Sequence, residues 1–155
     1  MRAKLIPATG LVWLTTALAL LAGGELRTQG ADMKFQAFLL WGTDASKPPE
    51  GKDYKPVSAD IQKKLKELPL KWTNWFEVNR KDFAVVQGTV SDVAMSDKCQ
   101  LKVTKLAGFE VEVLLIGKGK EVVKRKQSLP NGEMLVLGGN APNATAWLVV
   151  LKRIE

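Results

Sequence analysis

Cys99-Gln100-Leu101-Lys102-Val103-Thr104-Lys105-Leu106, a break at Ala107-Gly108, then Phe109-Glu110-Val111-Glu112-Val113-Leu114-Leu115-Ile116 is the stretch that decides the fold. Cys99, Leu101 and Val103 alternate with Gln100, Lys102 and Thr104, and side chains of an extended chain point alternately to opposite faces. One apolar face and one polar face is what a half-buried antiparallel strand needs. Ala107-Gly108 reads as a tight hairpin turn between two such strands.

The pattern continues downstream. A three-residue loop centred on Lys118 in Gly117-Lys118-Gly119 would place Glu112 opposite Lys124, Glu110 opposite Lys126 and Val113 opposite Val123. Opposed charges on one face contribute roughly 0.2–1 kcal/mol, so this register accounts for the basic run Lys124-Arg125-Lys126 without a ligand. Leu129-Pro130-Asn131-Gly132 is a turn, because Pro fixes φ and Gly accepts a positive φ. Met134–Leu137 and Thr145–Leu151 read as short apolar strands, the second containing Trp147.

Upstream, Met33 to Trp41 predicts a strand with Met33, Phe35, Ala37, Leu39 and Trp41 on one face. Its other face starts polar at Lys34 and Gln36 and turns apolar at Phe38 and Leu40, so the strand enters from the rim and runs inward. Thr43 to Val57 carries Pro48-Pro49, Gly51 and Pro56, which exclude a helix or a central strand. It reads as a solvated connector, with a functional loop as the competing reading. Ser58 to Leu68 predicts the single helix: Ser58 is the N-cap, Asp60 lies in the first turn, and Ile61, Leu65 and Leu68 form a narrow apolar stripe that Pro69 ends. Trp72 to Asn79 and Phe83 to Gln87 read as strands separated by a polar turn at Arg80-Lys81-Asp82, and Val90 to Met95 as a weaker strand.

About eight strands at turn spacings of roughly 8–12 residues predict a single mainly β domain over 33–155. The architecture is an antiparallel sandwich or barrel-like fold with one short helix. Its expected core is Phe35, Leu39, Phe76, Val85, Leu101, Val103, Val111, Val113, Val136, Leu148 and Val150.

Arg2 and Lys4, the uncharged run Leu5 to Gly24 and the small residues Ala22-Gly23-Gly24 have the layout of a secretory signal peptide, residues 1–24. An uncleaved segment would be the chain's one membrane attachment. Residues 25–32 read as a flexible polar segment, and cleavage leaves a chain of single-domain size. The expected location is therefore periplasmic or extracellular.

The 155 residues contain no histidine and one cysteine, with a net charge of +7. The missing imidazole removes Ser-His-Asp and Cys-His machinery, and one thiol makes neither an internal disulfide nor a thiolate metal cluster. No enzyme, cofactor or metal site is expected. Cys99 reads as a small buried hydrophobe, with an intermolecular disulfide as the alternative. Gly117-Lys118-Gly119 and Gly138-Gly139 precede no helix, so they are turns and not phosphate cradles. Asn143-Ala144-Thr145 matches the glycosylation acceptor pattern.

Acids interspersed among the bases argue against a nucleic-acid partner. The expected function is a non-enzymatic binding or structural module that contacts an unknown protein or envelope polymer. The alternative is a carbohydrate- or small-ligand-binding sandwich in which Trp72, Trp75 and Tyr54 form the platform, with core filling as the competing role for the tryptophans. A basic face, if used, draws on Lys63, Lys64, Lys66, Lys71, Arg80 and Lys81.

Overall fold

The computed structural model describes residues 32–139 and 145–155. The signal segment, residues 25–31 of the polar stretch and Asn143 of the acceptor triplet lie outside the described residues.

Two antiparallel sheets face each other in a sandwich-like arrangement. One has five strands in the order β2 (Lys55–Pro56), β3 (Asn74–Val85), β1 (Met33–Thr43), β9 (Ala146–Arg153) and β8 (Met134–Gly139). The other has four, β4 (Val90–Ser96), β5 (Cys99–Lys105), β6 (Glu110–Gly117) and β7 (Lys120–Ser128). Phe35, Leu39, Val85, Leu135, Leu137, Val149 and Leu151 of the larger sheet pack on Leu101, Val103, Val111, Val113 and Leu115 of the smaller. Helix α1 (Ala59–Lys66) closes the far face of the larger sheet: Ile61 and Leu65 bury Phe38, Leu40, Trp75, Ala146, Leu148 and Val150.

The expected core residues are all buried except Val136, which is half-buried. They divide between two layers, except Phe76, which is buried but belongs to neither. Leu148, Val150 and Val136 belong under the helix and not between the sheets. Strand β1 behaves as its pattern implies, with Lys34 exposed, Gln36 half-buried, and Ala37, Phe38, Leu39 and Leu40 all buried.

Helix α1 begins after Ser58, whose carbonyl accepts the Gln62 N–H at 2.9 Å. The Ser58 hydroxyl does not cap a backbone N–H; it donates to Asp60. Asp60 also accepts from Lys152 of β9, which ties the start of the helix to the sheet beneath it. Cys99 is half-buried against the core at the start of β5, in line with its alternation.

Three sequence expectations change. Arg80-Lys81-Asp82 is not a turn: β3 runs unbroken beside β1, pairing Arg80 with Phe38, Lys81 with Ala37 and Asp82 with Gln36. The connector Thr43 to Val57 contains β2, where Lys55 and Pro56 pair with Glu77 and Phe76; Pro56 is tolerated because β2 is an edge strand. Finally, the β6–β7 loop is a two-residue turn, Lys118-Gly119, with φ of 50° and 75°.

That short turn is followed by a bulge at Val122, so Glu112 faces Lys126 and Leu115 faces Val123. Glu110 stands opposite Ser128, not Lys126. The turn and the bulge each move the register by one residue, and two steps restore parity. Lys124 therefore stays on the Glu112 face and reaches its carboxylate diagonally at 3.2 Å.

Two substitutions test this geometry by urea unfolding. Both central residues of a type I′ turn need positive φ, which Asn accepts and Lys does not favour. Lys118→Asn should raise stability by about 0.5–1 kcal/mol. Gly42 lies beneath the Trp75 indole, and a Cβ there would stand 2.5 Å from a ring carbon. Gly42→Ala should cost about 1–3 kcal/mol through overpacking.

Candidate functional site

Cross-strand pairing makes rows of side chains that share one sheet face. On the inner face of the five-stranded sheet, the last row inside the two-sheet core is Asn79, Leu39, Val149 and Leu137. The next row is Phe76, Trp41, Trp147 and Gly139. None of these belongs to the intersheet core. The larger sheet thus carries an aromatic row past the end of the apolar packing against its partner.

A bulge builds the row. Between Leu39 and Leu40 the pairing with β3 slips, so that Leu39 faces Asn79 but Leu40 faces Glu77, leaving Val78 as the extra residue. Without that extra residue Glu77 would stand opposite Trp41, and Phe76 would turn toward the helix. With it, Phe76 lies beside Trp41, their ring centroids 6.0 Å apart. Glu77 turns to the helix face, where both its carboxylate oxygens accept from the Arg80 guanidinium at 3.1 and 3.0 Å.

Tyr54 joins the row from the segment leading into β2, its ring 6.3 Å from Trp41. Exposure is graded across the four rings. Phe76 is buried, Trp41 and Tyr54 are half-buried, and Trp147 is 43% exposed. Among the described residues the other large exposed apolar side chains, Val86, Val90, Phe109 and Val122, sit at strand ends, in a turn and at a bulge.

The loop beside the shelf is anchored. The Asp44 carboxylate accepts the Thr73 N–H at 3.2 Å, the Asp44 carbonyl accepts from the Asn74 amide at 3.4 Å, and the Val57 N–H donates to the Trp75 carbonyl at 3.3 Å. Its charges, Asp44, Lys47, Glu50, Lys52, Asp53 and Lys55, alternate in sign and offset one another.

The structure divides the sequence-derived platform. Trp75 is 8% exposed under the helix, and Trp72 meets it edge-on with centroids 6.1 Å apart. Both fill the helix side, whereas Tyr54 lies by Trp41 on the opposite side of the sheet. Trp41 and Trp147, which complete the shelf, were not among the candidates. Their only sequence signal is that each lies on an apolar strand in phase with core residues.

The six cations do not share one face. Lys63 and Lys66 are exposed on α1 and Lys64 is half-buried. Lys71 lies over the Trp72 ring at 5.7 Å. Arg80 is paired with Glu77 and stacked 4.8 Å over Phe38, while Lys81, next along the strand, points to the opposite face. Among the described residues no group of three Cys, Asp or Glu side chains could hold a metal ion, and no helix is long and apolar enough to cross a membrane.

Asp60 provides a pH test of the helix attachment. Hydrogen bonds from Lys152 and Ser58 hold its carboxyl at about 2, below the usual 3.8. The contribution is complete above pH 4 and disappears as pH falls through the folded value. Its side chain is 44% exposed, so screening limits the pair to roughly 0.2–1 kcal/mol. Asp60→Asn should lower stability by that amount at pH 7 and match wild type near pH 2 in urea unfolding followed by circular dichroism. The chain matches no known protein family, no curated protein and no solved structure.

Proposed function

We propose that this chain is an exported, non-enzymatic binding module of the cell envelope or extracellular space, and that its contact surface for a macromolecular partner centres on Trp147 with the half-buried Trp41 and Tyr54 beside it. The observation that carries the reading is Trp147, 43% exposed in a row of rings that a well-packed sheet holds in place. Half-exposed aromatic side chains on a rigid support bind with little entropy loss, which is why Trp and Tyr dominate contact hot spots.

Export is supported by the signal-like residues 1–24. The absence of histidine supports a non-catalytic role, as does the state of the one thiol. Burial pushes the Cys99 pKa up, which disfavours the thiolate that a nucleophile requires. A nucleic-acid partner is disfavoured because bases on the outer face of the smaller sheet already meet acids, Lys102 with Asp92 at 3.4 Å and Lys124 with Glu112 at 3.2 Å.

Envelope and extracellular fractions passed over immobilised protein test the reading. A macromolecule, protein or polysaccharide, should be retained by wild type and by the Lys63/Lys64/Lys66→Ala variant, but lost with Trp147→Ala. Equal retention by wild type and Trp147→Ala, or loss caused by the lysine variant alone, would refute it.

A further inference from the structure

We propose that the outer edge of β7 takes an extended acidic peptide of another chain as an added strand, with acids at alternate positions beside Lys124 and Lys126. The surface is separate from Trp147, which stands in the other sheet.

Backbone direction is the first support. The Leu129 N–H donates to the Phe109 carbonyl at 2.8 Å, in the register that continues Glu110 opposite Ser128. Opposed residues of an antiparallel ladder alternate between pairs that exchange hydrogen bonds and pairs that do not. Val123, Arg125 and Gln127 therefore bond to β6, while Lys124, Lys126 and Ser128 aim their N–H and C=O groups away from it. The far side of β6 agrees: the Leu106 N–H donates to the Glu110 carbonyl at 2.9 Å, which turns Glu110 and Glu112 to β5 and Val111 and Val113 to β7. Strand β7 ends its sheet, and among the described residues no further hydrogen bond reaches those outward groups. A row of such groups is what an added strand pairs with.

The other edges differ. Strand β2 is two residues long, and β8 is a six-residue strand with no charge. Strand β4 lies against β3: the Asn79 amide donates to the Met95 carbonyl at 2.8 Å, and the Ser91 hydroxyl to the Ala84 carbonyl at 2.9 Å.

Charge selects the occupant. Strand β7 carries Lys120, Lys124, Arg125 and Lys126 against Glu121, all exposed. Two copies paired through β7 would set these cations against one another, which removes a second copy as the occupant. A polyanion resting on the outer face would meet Glu110 and Glu112, the latter already 3.2 Å from Lys124. A strand added in the plane of the sheet has Lys124 and Lys126 between itself and those carboxylates.

The neighbour β7 already has shows the pattern. Glu110-Val111-Glu112-Val113 lies along its inner edge, with Glu112 opposite Lys126. The same alternation on the outer edge sets acids beside Lys124 and Lys126, and apolar side chains beside Val123, which packs on the intersheet core.

The test is fluorescence anisotropy of the full chain with a labelled, end-capped peptide, Thr-Glu-Val-Glu-Val-Glu-Thr. It should bind saturably and more weakly as salt rises. N-methylation of its glutamates, whose N–H groups face β7 in this pairing, should abolish binding; N-methylation of its valines should not. Replacing both Lys124 and Lys126 by Gln should weaken binding about tenfold. Ser128→Pro removes an outward N–H without touching a charge or the β6 ladder, and should weaken binding with the unfolding midpoint kept. Trp147→Ala should change nothing.

No saturable binding at millimolar concentration would overturn the proposal. Undiminished binding of the glutamate-methylated peptide, or equally tight binding of polyphosphate, would overturn it too, since either shows a charged patch and not a strand edge. If Ser128→Pro does not fold, the two methylated peptides decide on the wild-type chain. Loss of peptide binding in Trp147→Ala would place the contact elsewhere and also overturn it. The module reading is tested by Trp147→Ala in the fractions above, so the two fail independently.

Discussion

Ala37, Phe38, Leu39 and Leu40 are consecutive and all buried, a pattern that a strand can hold only with a layer on each face and a neighbour on each edge. Strand β1 has all four: the smaller sheet on one side, α1 on the other, β3 and β9 along its edges. Each large apolar side chain so buried contributes roughly 1.5–3 kcal/mol before chain entropy is subtracted. Both neighbours come from later in the chain, and β9 supplies the last strand of all. The pairings of β1 with β3 and β9 are therefore long-range, and long-range pairings make folding slow relative to a helical chain of this size. The smaller sheet is four consecutive hairpin-linked strands, and its pairings are local.

The bulge at Val78 couples this framework to the shelf. Before it, β3 feeds Asn79, Phe83 and Val85 toward the inner face; beyond it, the parity changes and Phe76 takes the inner position. One extra residue therefore does three things. It sets Phe76 beside Trp41, it sends Glu77 to Arg80 on the far face, and it lays the Trp75 indole over Gly42 beneath the helix. Trp75 and Phe76, being adjacent, face opposite ways in any strand; the extra residue decides that Trp75 takes the helix side and Phe76 the inner side. The continuity of β3 through Arg80, Lys81 and Asp82 follows from the same constraint, because the backbone ladder to β1 holds whatever the side chains are.

What was legible in the sequence was local. Alternation in Cys99–Lys105 and Glu110–Ile116, the helix start at Ser58 (at the N-cap position but without a side-chain cap) and the turn at Pro130–Gly132 each depend on a few neighbouring residues, and each is present. Even the misplaced β6–β7 register kept Glu112 and Lys124 together, because two one-residue offsets preserve the facing of every side chain. What was not legible depended on distance. Arg80-Lys81-Asp82 is polar in the way a turn is polar, and only its pairing with β1 shows it to be strand. Trp72 precedes β3, so strand alternation does not govern it, and it packs beside Trp75 instead of opposing it. The Trp41–Trp147 pair joins residues far apart in the chain, so no local pattern could bring them together.

The unequal reach of the two cores explains why aromatic rings are left beyond the intersheet packing at that end. Inward-facing residues of the larger sheet are apolar while the smaller sheet covers them, and one row beyond the shelf they become Thr43 and Asn74. Thr43 is itself buried, its hydroxyl accepting the Ala45 N–H, so the aromatic row is closed on that side and only Trp147 is left 43% exposed. Exposure forgoes much of the burial energy a tryptophan offers, so the row is poorly accounted for by stability alone. The buried ring of Phe76 and the half-buried rings of Trp41 and Tyr54 do hold the end of the sheet and the adjacent loop together. Trp147, beside a glycine, adds little to that.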